Sequence, residues 1–224
     1  MKKLALTLIV LITLNAQAQR NVEKEVAYQG QPVTVEFAFA SDIEMKTWNR
    51  SSIKIEALVD TEDKKYTEQY ELQVNSSDSK IEISSNMKDL LEGYHVEFGE
   101  RNELKQEIYY TLYVPKGVKL ELSSVTGSMT SEFLQGDFKL DLVIGNVQIE
   151  RFKGNLELNS VTGKISLPVK NSSYKVKTVM GNIYNNDSGA TKEKGFVGQE
   201  VFKELHNSQS QLTLNSVTGD IYLN

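Results

Sequence analysis

The chain has 224 residues, 39% of them hydrophobic, with no cysteine, two histidines and a formal charge of −5. That length and apolar content suit one large domain or two small ones around a packed core. The missing cysteines exclude disulfides, thiolate metal sites, a cysteine nucleophile and lipid attachment at cysteine, and the acidic balance argues against nucleic acid and anionic membrane surfaces as partners.

At the start, Lys2 and Lys3 precede an apolar run from Leu4 to Leu14, and Ala16-Gln17-Ala18 follows as a small-x-small cleavage pattern. The spacing predicts a signal peptide over 1–18, cut after Ala18. The apolar run is far shorter than the ~20 residues of a transmembrane helix, and no later stretch is long or apolar enough to span a bilayer. Cleavage removes two lysines and no acid, which leaves 206 residues and a charge of −7. The expected location is outside the cytoplasm: periplasm, cell surface or extracellular space.

Residues 19–115 alternate apolar and polar positions with irregular spacing, as in Val33, Val35, Phe37 and Phe39, then Ile53, Ile55 and Ala57, then Ile108, Tyr110, Leu112 and Val114. Such alternation predicts short strands of an irregular, β-rich N-terminal part. One helix is expected from Met87 to Glu92, with Ser85 or Asn86 as its cap and Gly93 as its stop.

From 116 to 224 the chain repeats. Glycines fall nine residues apart at Gly127, Gly136, Gly145, Gly154, Gly163 and Gly181, with Ser172 in the one vacancy; Gly219 returns later, nine after Ser210. Two residues after each of these stands an apolar or aromatic side chain, and four residues after stands another except at Ser131 and Asn185, as in Phe138 and Leu140, Leu156 and Leu158, or Leu212 and Leu214. Two residues before most of them stands another: Val125, Val143, Val161, Val179 and Val217. Apolar residues two apart read as strands with one buried face, and the glycine between them as a bend. Gly127, Gly163 and Gly219 follow Ser-Val-Thr whereas Gly145 and Gly181 follow Val-Ile and Val-Met, so the unit is eighteen residues, two strands and two bends. Ordering nine residues costs on the order of 13 kcal/mol, and three buried side chains return roughly 5 to 9 kcal/mol, so a repeat needs its neighbours.

The fold class expected is therefore all-β: a single-stranded β-solenoid (β-helix) with eighteen-residue coils, each made of two nine-residue strand-bend units. The competing arrangement is a flat antiparallel meander of nine-residue hairpins. In the solenoid, residues eighteen apart are neighbours, which sets Lys139, Glu157 and Lys175 in one outward row, Tyr184 beside Tyr222, and the five valines in one inward ladder. The register breaks between Tyr184 and Gln211, so an insertion is expected at about 186–209, with Gln199 to His206 as a helical turn or two.

The elements Ser41-Asp42-Ile43-Glu44-Met45-Lys46-Thr47-Trp48, Tyr113-Val114-Pro115-Lys116-Gly117 and the recurring Ser-Val-Thr-Gly resemble the bacterial secreted "putative adhesin" family of unknown function, over roughly residues 30 to 224. The leader resembles those of Bacteroidetes. The resemblance implies a β-solenoid of the cell envelope and brings no catalytic motif.

The residues themselves supply no catalytic constellation. His95 and His206 stand far apart without ligand spacing, and the serine of Ser-Val-Thr-Gly lacks the glycine of a nucleophile elbow. Asp137, Asp141, Glu157 and Asp220 fall on outward strand positions. The period of nine is shared with calcium-binding nonapeptides, but the paired glycines and regular aspartate of those repeats are missing. The sequence thus predicts no enzyme, no cofactor and no metal site. It predicts an exported binding protein that offers a long β-surface to a protein or glycan at the cell envelope. The alternatives are a self-assembling structural β-helix that associates through its C-terminal edge, and a polysaccharide-active β-helix enzyme that would use a pair of the outward acids.

Overall fold

The computed structural model describes residues 19–92, 105–194 and 197–224. The leader over 1–18, Gly93 and His95 lie outside the described residues.

The N-terminal part contains β1 (Arg20–Ala27), β2 (Val33–Trp48), β3 (Ser52–Thr61), α1 (Lys64–Gln69), β4 (Leu72–Ser76), β5 (Ile81–Ser85), α2 (Met87–Glu92) and β6 (Gln106–Pro115). The predicted helix at Met87 is α2. Its Asn86 does not cap it by side chain: the Asn86 amide instead bridges Gln69 O and Glu71 N. Asp63 does cap α1, accepting from Lys65 N at 2.9 Å. At the other end of α1 the Arg20 guanidinium donates to the carbonyls of Thr67, Glu68 and Tyr70, a cation on the carbonyl end of the helix.

The C-terminal part runs β7 (Val118–Ser131), β8 (Leu134–Ile144), β9 (Val147–Ile149), β10 (Phe152–Thr162), β11 (Ile165–Leu167), β12 (Ser172–Met180), β13 (Ile183–Asn185), β14 (Thr191–Lys194), β15 (Gln199–Lys203), β16 (Ser210–Thr218) and β17 (Ile221–Leu223). Each eighteen-residue unit is a long strand, a glycine bend and a short strand. Long strands stack on long and short on short, so the molecule has a long face and a short face with the core between them. Phe138, Leu140, Val147, Ile149, Leu156, Leu158 and Ile165 are all buried there.

Backbone pairing follows the repeat for three successive strands. β7, β8 and β10 are parallel neighbours at a separation of eighteen, as in Leu122↔Leu140 and Leu140↔Leu158, which replaces the hairpin meander. At the glycines the approach leaves no room for a side chain: a Cβ on Gly163 would lie 1.9 Å from Gly145 O, and one on Gly145 would lie 2.0 Å from Gly127 O. The bend needs glycine for this contact as much as for its positive φ.

Four expectations are corrected. The chain as a whole is all-β but not a simple single-stranded winding: among the described residues seventeen strands join one mixed sheet, with antiparallel pairs β1–β3, β3–β6, β4–β5, β12–β15 and β14–β15. The last unit does not lie at the end of the stack. β16 enters between β10 and β12, parallel to both, and β17 enters between β11 and β13, because Leu212-Thr213-Leu214-Asn215-Ser216-Val217-Thr218-Gly219 nearly duplicates Leu156-Glu157-Leu158-Asn159-Ser160-Val161-Thr162-Gly163 and satisfies the same neighbours. Lys139 still faces Glu157, but Lys175 faces Thr213 instead. Tyr184 does lie beside Tyr222, their rings stacked at 4.7 Å. The C-terminal edge expected to self-associate is therefore absent, since β16 and β17 are paired on both sides. Finally, Gln199–Lys203 is a strand and not a helix. With β14 it forms a hairpin that lies antiparallel along β12 and covers the outer edge of the long face.

Candidate binding surface

The valines that precede the bends decide the character of the long face. Strict alternation from the previous bend sends positions such as Leu140 and Leu158 inward and carries the inward face on to Ser124, Leu142, Ser160, Ser216 and Thr178, all buried. The following residue must then point out. Val125, Val143, Val161, Val217 and Val179 are 44, 40, 44, 45 and 49% exposed, so the predicted inward ladder is an outward one. Parity changes at the glycine, where the strand turns onto the short face. The signal available in the sequence was the residue one step earlier, a small hydroxyl on four of the five strands and Leu142 on the fifth. At Ser124 that hydroxyl donates to the backbone of Phe37 and Thr126 as the chain turns.

Register places these valines side by side on adjacent strands, in the order Val125, Val143, Val161, Val217, Val179. Ala38 of β2 continues the row. The spacing between parallel strands is about 4.8 Å, so from Ala38 to Val179 the row is about 24 Å long. Beside it runs a second outward row, Glu36, Ser123, Asp141, Asn159, Asn215 and Lys177, whose middle members are tied to one another. Asn159 Nδ2 donates to Asp141 at 2.7 Å and Asn215 Nδ2 to Asn159 at 2.9 Å. Between the valine row and this amide ladder lies an open groove of ≈ 610 Å³. Beyond the valines Ile144 and Met180 are also exposed, and Val197 at the hairpin continues the apolar strip past Val179.

The groove is charged at its ends. Glu36 marks one end, and Asp141 lies third along the row. At the other end, Lys177 and Lys175 share the Glu200 carboxylate at 3.1 and 3.2 Å, and Glu193 of β14 lines the same end. The Lys177 and Lys175 ammonium groups hold the Glu200 carboxyl below its ordinary range. Nearby, Lys203 at 2.7 Å, helped by Gly189 N–H, lowers Asp187 in the same way and ties the hairpin to the turn after β13.

The short face carries a different patch. Tyr184 and Tyr222 stack there, with Lys164 Nζ 4.1 Å from the Tyr222 ring centre. The outward acids are each engaged by a neighbouring unit: Asp137 by Asn155, Asp141 by Asn159 and Asp220 by Asn182 N–H. The Glu157 carboxylate accepts from Asn159 at 3.3 Å. His206 sits exposed in the loop before β16. Among the described residues no three His, Asp or Glu side chains converge as a metal site.

No family model matches the sequence, and no curated protein does. Solved structures are similar to the chain, and the first of those that follow shares its fold. A "putative cell adhesion protein" from Clostridium sporogenes is 14% identical, with 92% of this chain and 99% of that one covered at a TM-score of 0.55. A "putative adhesin" from Bacteroides fragilis is 11% identical over 93% and 99% of the two chains, with a TM-score of 0.31. Another from Parabacteroides merdae is 11% identical over 90% and 80%, with a TM-score of 0.35.

Proposed function

We propose that this protein is a non-enzymatic, exported β-solenoid of the cell envelope, adhesin-like in role, whose binding surface is the valine groove of the long face. The observation that carries the reading is the row of outward valines, repeated on five successive strands and left uncovered in a chain that has a well-filled core elsewhere. Contiguous apolar surface of this kind is characteristic of interaction sites. An aliphatic row gives a glycan no ring to stack on, so the partner is a protein. The leader with its Ala16-Gln17-Ala18 site supports export, and the mature charge of −7 sets nucleic acid aside.

Two measurements test this. Fractionation of the native host places the mature chain, beginning at Gln19, outside the cytoplasm; intact Met1 on the native protein contradicts it. In dilute solution anilinonaphthalene sulfonate binds the groove and loses most of its signal in V161D with an unchanged circular dichroism spectrum. Undiminished binding in V161D refutes the groove.

A further inference from the structure

We propose that the partner of the valine groove is a second copy of this chain, turned end for end, so that two long faces meet in a two-fold dimer. This inference rests on the groove being the binding surface and adds the identity of the occupant.

Three features of the groove select that occupant. First, it is open along one side, so a thin ligand would stay wet over much of its length, whereas a facing sheet covers the whole strip. Second, its apolar knobs repeat at the strand spacing of about 4.8 Å. An α-helix, with a pitch of 5.4 Å, and an extended peptide crossing the strands at about 3.3 Å per residue both drift out of step with it. Another stacked β-ladder keeps step from end to end, and the same chain supplies one. Third, the two ends of the outer row carry side chains of opposite charge, Glu36 at one and Lys177 at the other. A ligand with one charged head matches a single end. The same groove reversed matches both, as an isologous contact requires.

With the two-fold axis between Val143 and Val161, the expected neighbours are Val143 with the other copy's Val161, Val125 with Val217, and Glu36 with Lys177. Asp141 then faces Asn159, a carboxylate opposite an amide. The hairpin that covers the edge of β12 occupies that edge and leaves the face open.

The test is the mass of the full mature chain over a concentration series, by sedimentation and light scattering, with dye binding read in parallel. The expected result is a monomer–dimer equilibrium in which the dimer excludes the dye. V161D weakens it at least about tenfold. Glu36→Lys weakens it about two- to fivefold, and adding Lys177→Glu restores it, since an exposed ion pair has that magnitude. Because the chain has no cysteine, a mixture of V125C and V217C reports orientation: mixed disulfides form faster than either homodimer. A dimer indifferent to V161D, or faster V125C homodimers, overturns the proposal. A monomer at every concentration that still binds dye through the groove overturns the second copy but leaves the groove intact. A monomer that binds no dye removes both.

Discussion

The two halves of the molecule hold together in different ways. From Val118 onward, parallel strands sit in register because glycine backbones touch: Gly163 on Gly145, Gly145 on Gly127, Gly219 on Gly163. Core side chains there are mostly aliphatics in rows, with Phe138 and Tyr174 among them. From Arg20 to Pro115 the strands pair in both directions, and specific large side chains select the arrangement. Phe37 stacks on Tyr110 at 3.7 Å, and Tyr70 donates its hydroxyl to Tyr110 at 3.1 Å in a buried site. Burial pushes the Tyr70 and Tyr110 hydroxyls up, so both stay neutral across the working pH range. One half is specified by backbone approach and the other by core shape.

Breaking that contrast starts with the largest effect. Gly163→Ala places a Cβ 1.9 Å from a backbone oxygen at φ +149°, which the stack relieves only by separating. A loss of more than about 4 kcal/mol is expected by urea unfolding. Phe37→Ala, in the other half, is expected to cost about 3 to 5 kcal/mol through its cavity. Its effect falls on β2, β6 and the helices, with amide exchange in β10 and β16 changed less.

The same contrast explains what the sequence made legible. A period of nine with glycine at fixed places is a backbone signature, and it led to parallel neighbours at eighteen and the Tyr184–Tyr222 pair. Two things stayed hidden. Near-identical units are exchangeable, so the repeat alone could not say that β16 enters between β10 and β12. Apolar character alone points the valines inward, whereas counting on from Leu158 makes Ser160 inward and Val161 outward. The five valines of the groove were thus legible but on the wrong face, Asp141 was legible as outward, and the remaining lining residues carried no signal. In the N-terminal half, Ser41 to Trp48 and Tyr113 to Gly117 lie far apart in sequence yet pair directly, Lys46 with Tyr113 and Trp48 with Pro115. No periodicity announces that contact.

Smaller changes sharpen the comparison. Tyr110→Phe leaves the buried Tyr70 hydroxyl without its acceptor, for an expected loss of about 1 to 3 kcal/mol at unfolding. The β14–β15 hairpin is held by carboxylates whose folded pKa values are depressed, Asp187 by Lys203 and Glu200 by Lys177. A depressed value means that this stabilisation is present above the ordinary carboxylate pKa of about 4 and is lost as pH falls through the lower folded values. Amide exchange at Val201 is therefore expected to accelerate between pH 5 and pH 3 relative to Leu158, which lies outside the hairpin. V161D, on the outward row, is expected to change stability by no more than about 0.5 kcal/mol.

The central claim is which residue of the Ser-Val pair faces the solvent, and thiol labelling measures it. With no native cysteine, Ser160→Cys and Val161→Cys are compared in dilute, folded protein, below the concentration at which copies associate. The account predicts rapid modification of the cysteine at 161 and protection of the one at 160 until denaturant is added. Protection at 161 with rapid labelling at 160 would turn the valine row inward and remove the groove.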